Sequence, residues 1–373
     1  MKITSIVLNN FTNDSRVLKE NSSLSNAGYD VTIVALYDNG LQEQEEINDF
    51  RVHRIKLKSR KWSKNKFVQL LKYIEFTYKV VNKYKNSDVI HCNDLDALVI
   101  GVIIKRIYNK NIKIVYDAHE YETETNALHG IQKKFVKWLE KSLIKDADAV
   151  ITVSDSIANE YVKLYNIKKP SLVLNTPFYK EVKKTNLFRE KFDIQDNQTI
   201  FLYQGNLGAG RGIDILLDTF KELDKKNVII FMGYGKVDRI KELSKEYENI
   251  FFHEAVHPDI LLNYTSAADF GISTIEASCL SYKYCLPNKM FEYIMAEVPV
   301  IVSDLPEMKN IVQNNHIGII MKSNDKKGIK KAIIEAITLD QSQLKHNLQN
   351  LKKIYNWEEQ EKILLKVYKE LFR

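Results

Sequence analysis

Apolar runs of four to seven residues recur along the chain, separated by stretches of helical period. "ITSIVL", "DVTIVAL", "DVIHCND", "IKIVYDAHE", "AVITVSD" and "SLVLNTP" mark the first half, and in "FRVHRIKL" charges alternate with apolar positions. Runs too apolar to alternate suit strands of a parallel sheet covered on both faces. Helices fall between them. One carries Val17, Leu18 and Leu24 and is closed by Gly28. "ALVIGVIIKRIY" and "SIANEYVKLY" are two more. The second half repeats the pattern through "TIFLYQGN", "VIIFMGYG", "NIFFHEA", "ADFGIST", "VIVSD" and "GIIMK". This alternation predicts an α/β protein with two doubly wound, Rossmann-like sheets. The expected domains are 1–178 and 179–355, facing across a cleft, with ligands at the carboxyl ends of the strands. The last segment, 356–373, has Trp357, Ile363, Leu364, Val367 and Leu371 as one apolar stripe and predicts an amphipathic helix.

Residues 284–307, "YCLPNKMFEYIMAEVPVIVSDLPE", read as a turn, a short helix, a second turn and a buried strand. Pro287 and Asn288 give the start signal, with Asn288 as the N-cap. Met290, Phe291, Ile294 and Met295 share one helical face, and Glu292 lies off it. A helix N-terminus at the carboxyl edge of a parallel sheet attracts anions. Glu292, one turn in, can accept bonds from hydroxyls. A diphosphate beside a ribose would satisfy both, while an ordinary αβ unit with a solvated Glu would look the same.

Composition narrows the class. The chain has 373 residues, 45% apolar and 28% charged, enough for two globular domains. Cys92, Cys279 and Cys285 lack metal or disulfide spacing, which points to a reducing compartment and a cytoplasmic location. The polar N-terminal stretch does not read as a signal peptide, and no apolar run reaches membrane-span length. The net charge of +7 is unevenly spread. Arg51, Arg54, Lys56, Lys58, Arg60, Lys61, Lys64, Lys66, Lys72, Lys79, Lys83 and Lys85 fall in one segment against Glu75. Phe67, Leu70, Leu71, Ile74 and Tyr78 keep a helical period there, after Trp62. Such a segment, 51–85, can lie on an anionic membrane surface. The same pattern also fits a helix packed on the sheet with its charges solvated. No nucleic-acid module is present.

Three clusters carry candidate chemistry. "QGNLGAGRGIDILL" places Gly205, Gly208, Gly210 and Gly212 around Arg211, where backbone and guanidinium can approach phosphate oxygens. The Walker pattern is absent. "MGYG", Gly233 to Gly235, reads as a second strand-to-helix turn. "VYDAHEYE" sets Asp117, His119 and Glu120 past a strand, where His119 can donate to a sugar or phosphate or make a structural hydrogen bond. "NDSR" with Asn13, Asp14 and Arg16, and "NDLDA" with Asp94 and Asp96, stand at other strand ends. No His/Cys cluster has zinc spacing and no nucleophile elbow appears.

In their order, "NDSRVLKENSSLSNAGYDVTIVAL", "YDAHE", "VSDSIA", "LNTP", "YQGNLGAGRGIDILL", "GYG", "AADFGIS" and "LPNKMFEYIMAEVPVIVSDLPE" resemble the family 4 glycosyltransferases over nearly the full chain. These are retaining enzymes of the GT-B fold. The resemblance implies that Glu292 holds the nucleotide ribose and that the loop with Pro287, Asn288 and Lys289 meets the diphosphate. Gly205, Asn206 and Gly233 join that nucleotide-sugar site. Arg211 and Lys289 would neutralise the leaving group, and His119 would lie near the donor sugar. Asn13, Asp14, Arg16 and Asp94 fall on the acceptor side, and the last helix would return to the N-terminal domain. The implied reaction transfers a sugar, from UDP before GDP, to a lipid-linked or membrane-proximal glycan of a bacterial surface polysaccharide. It needs neither metal nor cofactor, and the protein would lie on the inner face of the cell membrane. Three departures stand out. Tyr284 replaces a usual Glu, Asn206 a usual Arg, and Glu297 a usual Gly. A nucleotide-sugar epimerase of the same fold and a non-catalytic nucleotide-binding subunit remain alternatives.

Overall fold

The computed structural model of the chain describes residues 1–372. It forms two compact units, Met1–Val173 together with the residues from Glu361 on, and Leu174–Gln360.

The first unit is built on β1 (Lys2–Ile6), β2 (Asp30–Leu36), β3 (Gln44–Ile47), β4 (Phe50–Ile55), β5 (Val89–Asn93), β6 (Lys113–Ala118), β7 (Ala149–Thr152) and β8 (Ser171–Leu172). Their order across the sheet is β3-β4-β2-β1-β5-β6-β7-β8. All pairings are parallel except β3 with β4. That hairpin closes on Asn48 and Asp49, both at positive φ (45° and 64°), which suits the right-handed strand twist. The order reverses at β1 and β5, and Asn93 and Asp94 follow at the carboxyl end of β5.

One expectation needs correction here, and one of two open alternatives falls. β4 does not alternate: Arg51 faces solvent, while Val52, His53, Arg54 and Ile55 are buried. Arg54 survives burial by donating to the carbonyls of Asn10, Gln42 and Phe11 at 2.8, 3.0 and 3.2 Å. The helix Lys66–Tyr84 does not pack its apolar stripe on the sheet. Phe67, Leu70, Ile74 and Tyr78 are 69, 53, 52 and 69% exposed, and its buried side is Lys72, Phe76, Val80 and Val81. Lys72 is tolerated there because its Nζ donates to the carbonyls of Trp62 and Ser63. A second exposed stripe, Ile131, Phe135 and Trp138, runs along the helix Gly130–Leu143.

The second unit holds β9 (Thr199–Leu207), β10 (Asn227–Gly235), β11 (Ile250–Glu254), β12 (Phe270–Ser273), β13 (Val300–Ser303) and β14 (Gly318–Met321). Its parallel order, β11-β10-β9-β12-β13-β14, reverses between β9 and β12. Gly233 to Gly235 are not a turn, as expected, but the end of β10, paired with Gly205 to Leu207 of β9. The helix Asn288–Met295 buries Met290, Phe291, Ile294 and Met295 as its spacing predicts. It also buries Tyr293, whose hydroxyl donates to Leu202 O at 2.9 Å and accepts from Gln204 N at 3.2 Å. Gly271 of β12 makes room for that ring, since a Cβ there would stand 2.5 Å from it. Pro287, not Asn288, is the N-cap, and it offers no capping side chain.

Glu297, after this helix, is left-handed at φ 58°. Its carboxylate is engaged by Lys352 Nζ at 2.6 Å and Gln349 Nε2 at 3.0 Å. The last helix, Trp357–Glu370, begins in the second unit, where Trp357 N bonds Pro177 O at 2.8 Å. From Glu361 it counts with the first unit, where Tyr368 is buried. The predicted helix reached 373, a residue outside those described.

Candidate functional site

At the topological switch of the second unit, three elements converge: the glycine loop after β9, the loop after β12, and the start of the helix Asn288–Met295. Gly210 O accepts from Glu276 N at 3.0 Å, and Arg211 O accepts from Thr274 Oγ1 at 2.8 Å. Gly212 has φ 68°, and a Cβ on it would stand 2.6 Å from Thr274 O, so only glycine lets the two loops meet this closely. Arg211 stacks its guanidinium 4.7 Å from the Tyr282 ring centroid. Asn206 is exposed, and Gly205 lies below it with φ 101°.

Lys289 is the unusual member. It is 8% exposed, and its Nζ has no hydrogen-bond partner. The amine sits 3.5 Å from the Tyr203 ring centroid. Burial, then Arg211, holds it well below the ordinary lysine range, against the pull of Glu292. Next to it, the uncapped first turn of the helix directs backbone N–H groups and the positive end of the dipole outward. Glu292, half-buried, accepts from Gln204 Nε2 at 2.5 Å, and Gln204 Oε1 accepts from Thr265 Oγ1 at 2.9 Å. Tyr203 and Gln204 open the "YQGN" string quoted above, but neither was given a role, because nothing in the string says what a buried strand residue will meet. Tyr284 ends the short helix Leu280–Lys283 and has Lys283 Nζ 5.6 Å from its ring centroid. The second unit thus gathers Gly205, Asn206, Arg211, Gly233, Pro287, Asn288, Lys289 and Glu292 at one sheet edge.

In the first unit the predicted residues separate into two layers. Asn13 is exposed, and Asp14 caps the helix Ser15–Asn26 by accepting from Val17 N at 3.2 Å. Arg16 was expected in the acceptor-side loop. It lies instead inside that helix, buried, with Nε and Nη2 on the Asp117 carboxylate at 3.0 and 2.8 Å and Nη1 on Val173 O at 2.7 Å. It is therefore spent on the fold. His119 Nε2 bonds Asp117 Oδ2 at 3.2 Å, and its Nδ1 stands 3.5 Å from Asp94 Oδ1. Burial disfavours the imidazolium, but Asp94 and Asp117 outweigh it and raise His119 to about 9. His119 is thus a donor on both nitrogens at neutral pH. Asp94 is left-handed, φ 65°, and half-exposed at the start of the helix Asp94–Ile103.

Below this layer lie Glu20, which stands in the N-terminal string of the resemblance, and His91; neither had been given a role. His91 Nδ1 is 2.6 Å from the Tyr368 hydroxyl, and its Nε2 stands 3.6 Å from Glu20 Oε2. Burial raises Glu20 to about 8. Glu20, Asp117 and His119 bring one ligand atom each within 4.8 Å of one another. Yet Arg16 Nη2 already stands 2.8 Å from Asp117 Oδ1 and 3.0 Å from Glu20 Oε1. A metal ion would face that guanidinium, so this donor set does not fit a cation.

Residues 20–176 match the model of Glycosyltransferase Family 4, and residues 198–338 that of the glycosyl transferases group 1. The chain is a glycosyltransferase of the family 4 type, with the GT-B fold. It is 24% identical to a glycosyltransferase of Methanocaldococcus jannaschii, covering 92% of this chain and 90% of that one. It is 23% identical to the O-antigen chain mannosyltransferase RfbU of Salmonella typhimurium, over 54% of this chain and 55% of that one. The structure of Anabaena HepE in complex with UDP-glucose superposes with a TM-score of 0.75 at 16% identity, covering 100% and 99% of the two chains.

Proposed function

We propose that this glycosyltransferase takes a sugar from a nucleotide-diphosphate donor, UDP-linked before GDP-linked, and transfers it with retention of configuration. The observation that carries the donor class is the unpartnered, buried Lys289 amine beside Arg211 at an uncapped helix start. Two basic groups, a glycine loop and free helix N–H groups form an anion site. Glu292, aligned by Gln204, suits ribose hydroxyls. The Anabaena neighbour crystallised with UDP-glucose supports UDP as the first nucleotide to try.

The leaving diphosphate carries about two negative charges, and preorganised cations in a partly dry site stabilise such charge by several kcal/mol. Arg211, Lys289 and the helix start are assigned that role. His119 is assigned a donor sugar hydroxyl. In a same-face reaction the acceptor oxygen forms the new C–O bond as the sugar–phosphate bond breaks, and the acceptor proton passes to the leaving phosphate oxygen. No protein nucleophile and no metal enter this scheme.

The proposed acceptor is a lipid-linked or membrane-proximal glycan of a bacterial surface polysaccharide, in keeping with the O-antigen relative. No helix among the described residues is long and apolar enough to cross a membrane. The exposed stripe Phe67, Leu70, Ile74 and Tyr78, flanked by lysines, favours peripheral docking on the inner face of the membrane. The deciding experiment is a thermal-shift panel of UDP, GDP, ADP and dTDP and their sugars. Selective stabilisation by one nucleotide family is expected. No shift with any of them overturns the donor assignment.

A further inference from the structure

A buried ammonium without an acceptor is among the costliest arrangements in a folded chain. Lys289 presents that problem to every element packed against it. From β9, the face of the Tyr203 ring lies 3.5 Å away and gives an ammonium a cation–π attraction, which falls short of the cost of taking that charge out of water. Arg211, on the glycine loop, repels a second cation. Cys285, before the helix, has its thiol pushed up to about 12 by burial and carries no charge. Tyr282 stacks its ring on Arg211. Glu292, on the same helix, attracts, but its Oε2 is held by Gln204. A neutral amine resolves the conflict, because it needs no counter-ion and is not repelled by Arg211.

We propose that Lys289 is uncharged in the nucleotide-free protein and takes up one proton from solvent as the diphosphate binds. This rests on the nucleotide-diphosphate reading above and adds to it. The incoming phosphates bring negative charge and acceptor oxygens to the amine, so the ammonium gains the partners it lacked. The donor thereby creates half of its own counter-charge, while the empty site avoids two adjacent cations. Burial and Arg211 act in the direction this requires. The sign follows from linkage. Affinity is flat below the free-state pKa of the amine. It falls as pH rises towards the bound-state value, by up to about tenfold per pH unit.

The test is calorimetry of UDP binding to the full chain near pH 8, in two buffers of different ionisation enthalpy. There the terminal phosphate of UDP, with a pKa of about 6, is already ionised and contributes no proton. The expected result is a buffer-dependent heat equivalent to about one proton taken up. Lys289→Met should abolish that dependence and weaken UDP by at least about tenfold. Lys289→Arg, which stays charged, should bind UDP without buffer dependence. Equal heats in both buffers for the wild type would overturn the proton uptake and leave the nucleotide reading intact. Uptake that persists in Lys289→Met places the proton elsewhere and also overturns it. If UDP, GDP and ADP all fail to bind, both readings fall.

Discussion

Gln204 turns the Glu292 carboxylate through a 2.5 Å hydrogen bond, and its own amide is fixed at the other end by Thr265. A buried strand residue thus aims the proposed ribose ligand. Bonds to a charged group contribute about 1.5–3 kcal/mol, so Glu292→Gln should weaken UDP by about tenfold to a hundredfold. Gln204→Ala should act in the same direction with a smaller effect. Calorimetry reads both. Unchanged affinity in Glu292→Gln would remove Glu292 from the nucleotide.

Arg211, stacked on Tyr282, is assigned the charge that develops on the proposed leaving diphosphate. Arg211→Ala should lower kcat by at least about a hundredfold, with a smaller change in KM. Steady-state kinetics on the identified donor gives the answer, and near-normal turnover would take Arg211 out of the mechanism.

Glu297 accepts a left-handed backbone that glycine would adopt without strain, worth about 1–2 kcal/mol. Its carboxylate also neutralises Lys352, which is buried apart from its second partner Glu181. Breaking a buried pair costs about 3–5 kcal/mol. Glu297→Gly should therefore destabilise the protein by about 2 kcal/mol despite the relieved strain, and adding Lys352→Met should recover part of the loss. Urea denaturation measures both. A stabilised Glu297→Gly would show that strain outweighs the pair.

The His119 ring should keep its proton well above the ordinary histidine range, with an NMR titration midpoint near the value of about 9 set by Asp94 and Asp117 against burial. Asp94→Asn should bring the midpoint down towards about 6.5. Because the folded-state value is raised, stability from this site is complete below about 6.5 and is lost as pH climbs through about 9. A wild-type midpoint below neutrality would contradict the assigned role as a two-nitrogen donor.

Trp62 is exposed before the first apolar stripe and Trp138 belongs to the second, whereas Trp357 is buried. Vesicles of brominated anionic lipid should quench Trp62 in a Trp138→Phe variant and Trp138 in a Trp62→Phe variant. Each nearby Lys or Arg adds roughly 1 kcal/mol of attraction, so added salt should reverse the effect. Absence of quenching at low salt would sink the membrane assignment.

The sheet strands were legible because parallel strands covered on both faces leave unbroken apolar runs. β3 was not: "QEEI" is a polar edge strand, and its antiparallel pairing is set by the turn at Asn48 and Asp49. Periodicity located the apolar stripe of the helix Lys66–Tyr84 but could not say which side meets the sheet. Phe76, Val80 and Val81 outcompeted it for the core. At the site, the glycine loop singled out Arg211 and the helix pattern Glu292, while Lys289 entered only with the family resemblance; the structure brings the three to one sheet edge. Gln204, Tyr203 and His91 were given no role because their partners lie on helices far away in the chain, and Glu20 because its helix meets His91 only by packing on the sheet.

Tyr293 locks the helix that carries Lys289 and Glu292 against the seam between β9 and β12, and Gly271 grants its ring the space. The helix is keyed like a shaft in a slot and cannot rotate to try another ligand without losing that fit. Tyr284 and Asn206 sit outside the lock, one at the end of a short helix and one at an exposed strand end. On the proposed reading, variation in the transferred sugar has free play at those two positions, while the helix assigned to the diphosphate is held in place through a residue that has no side chain.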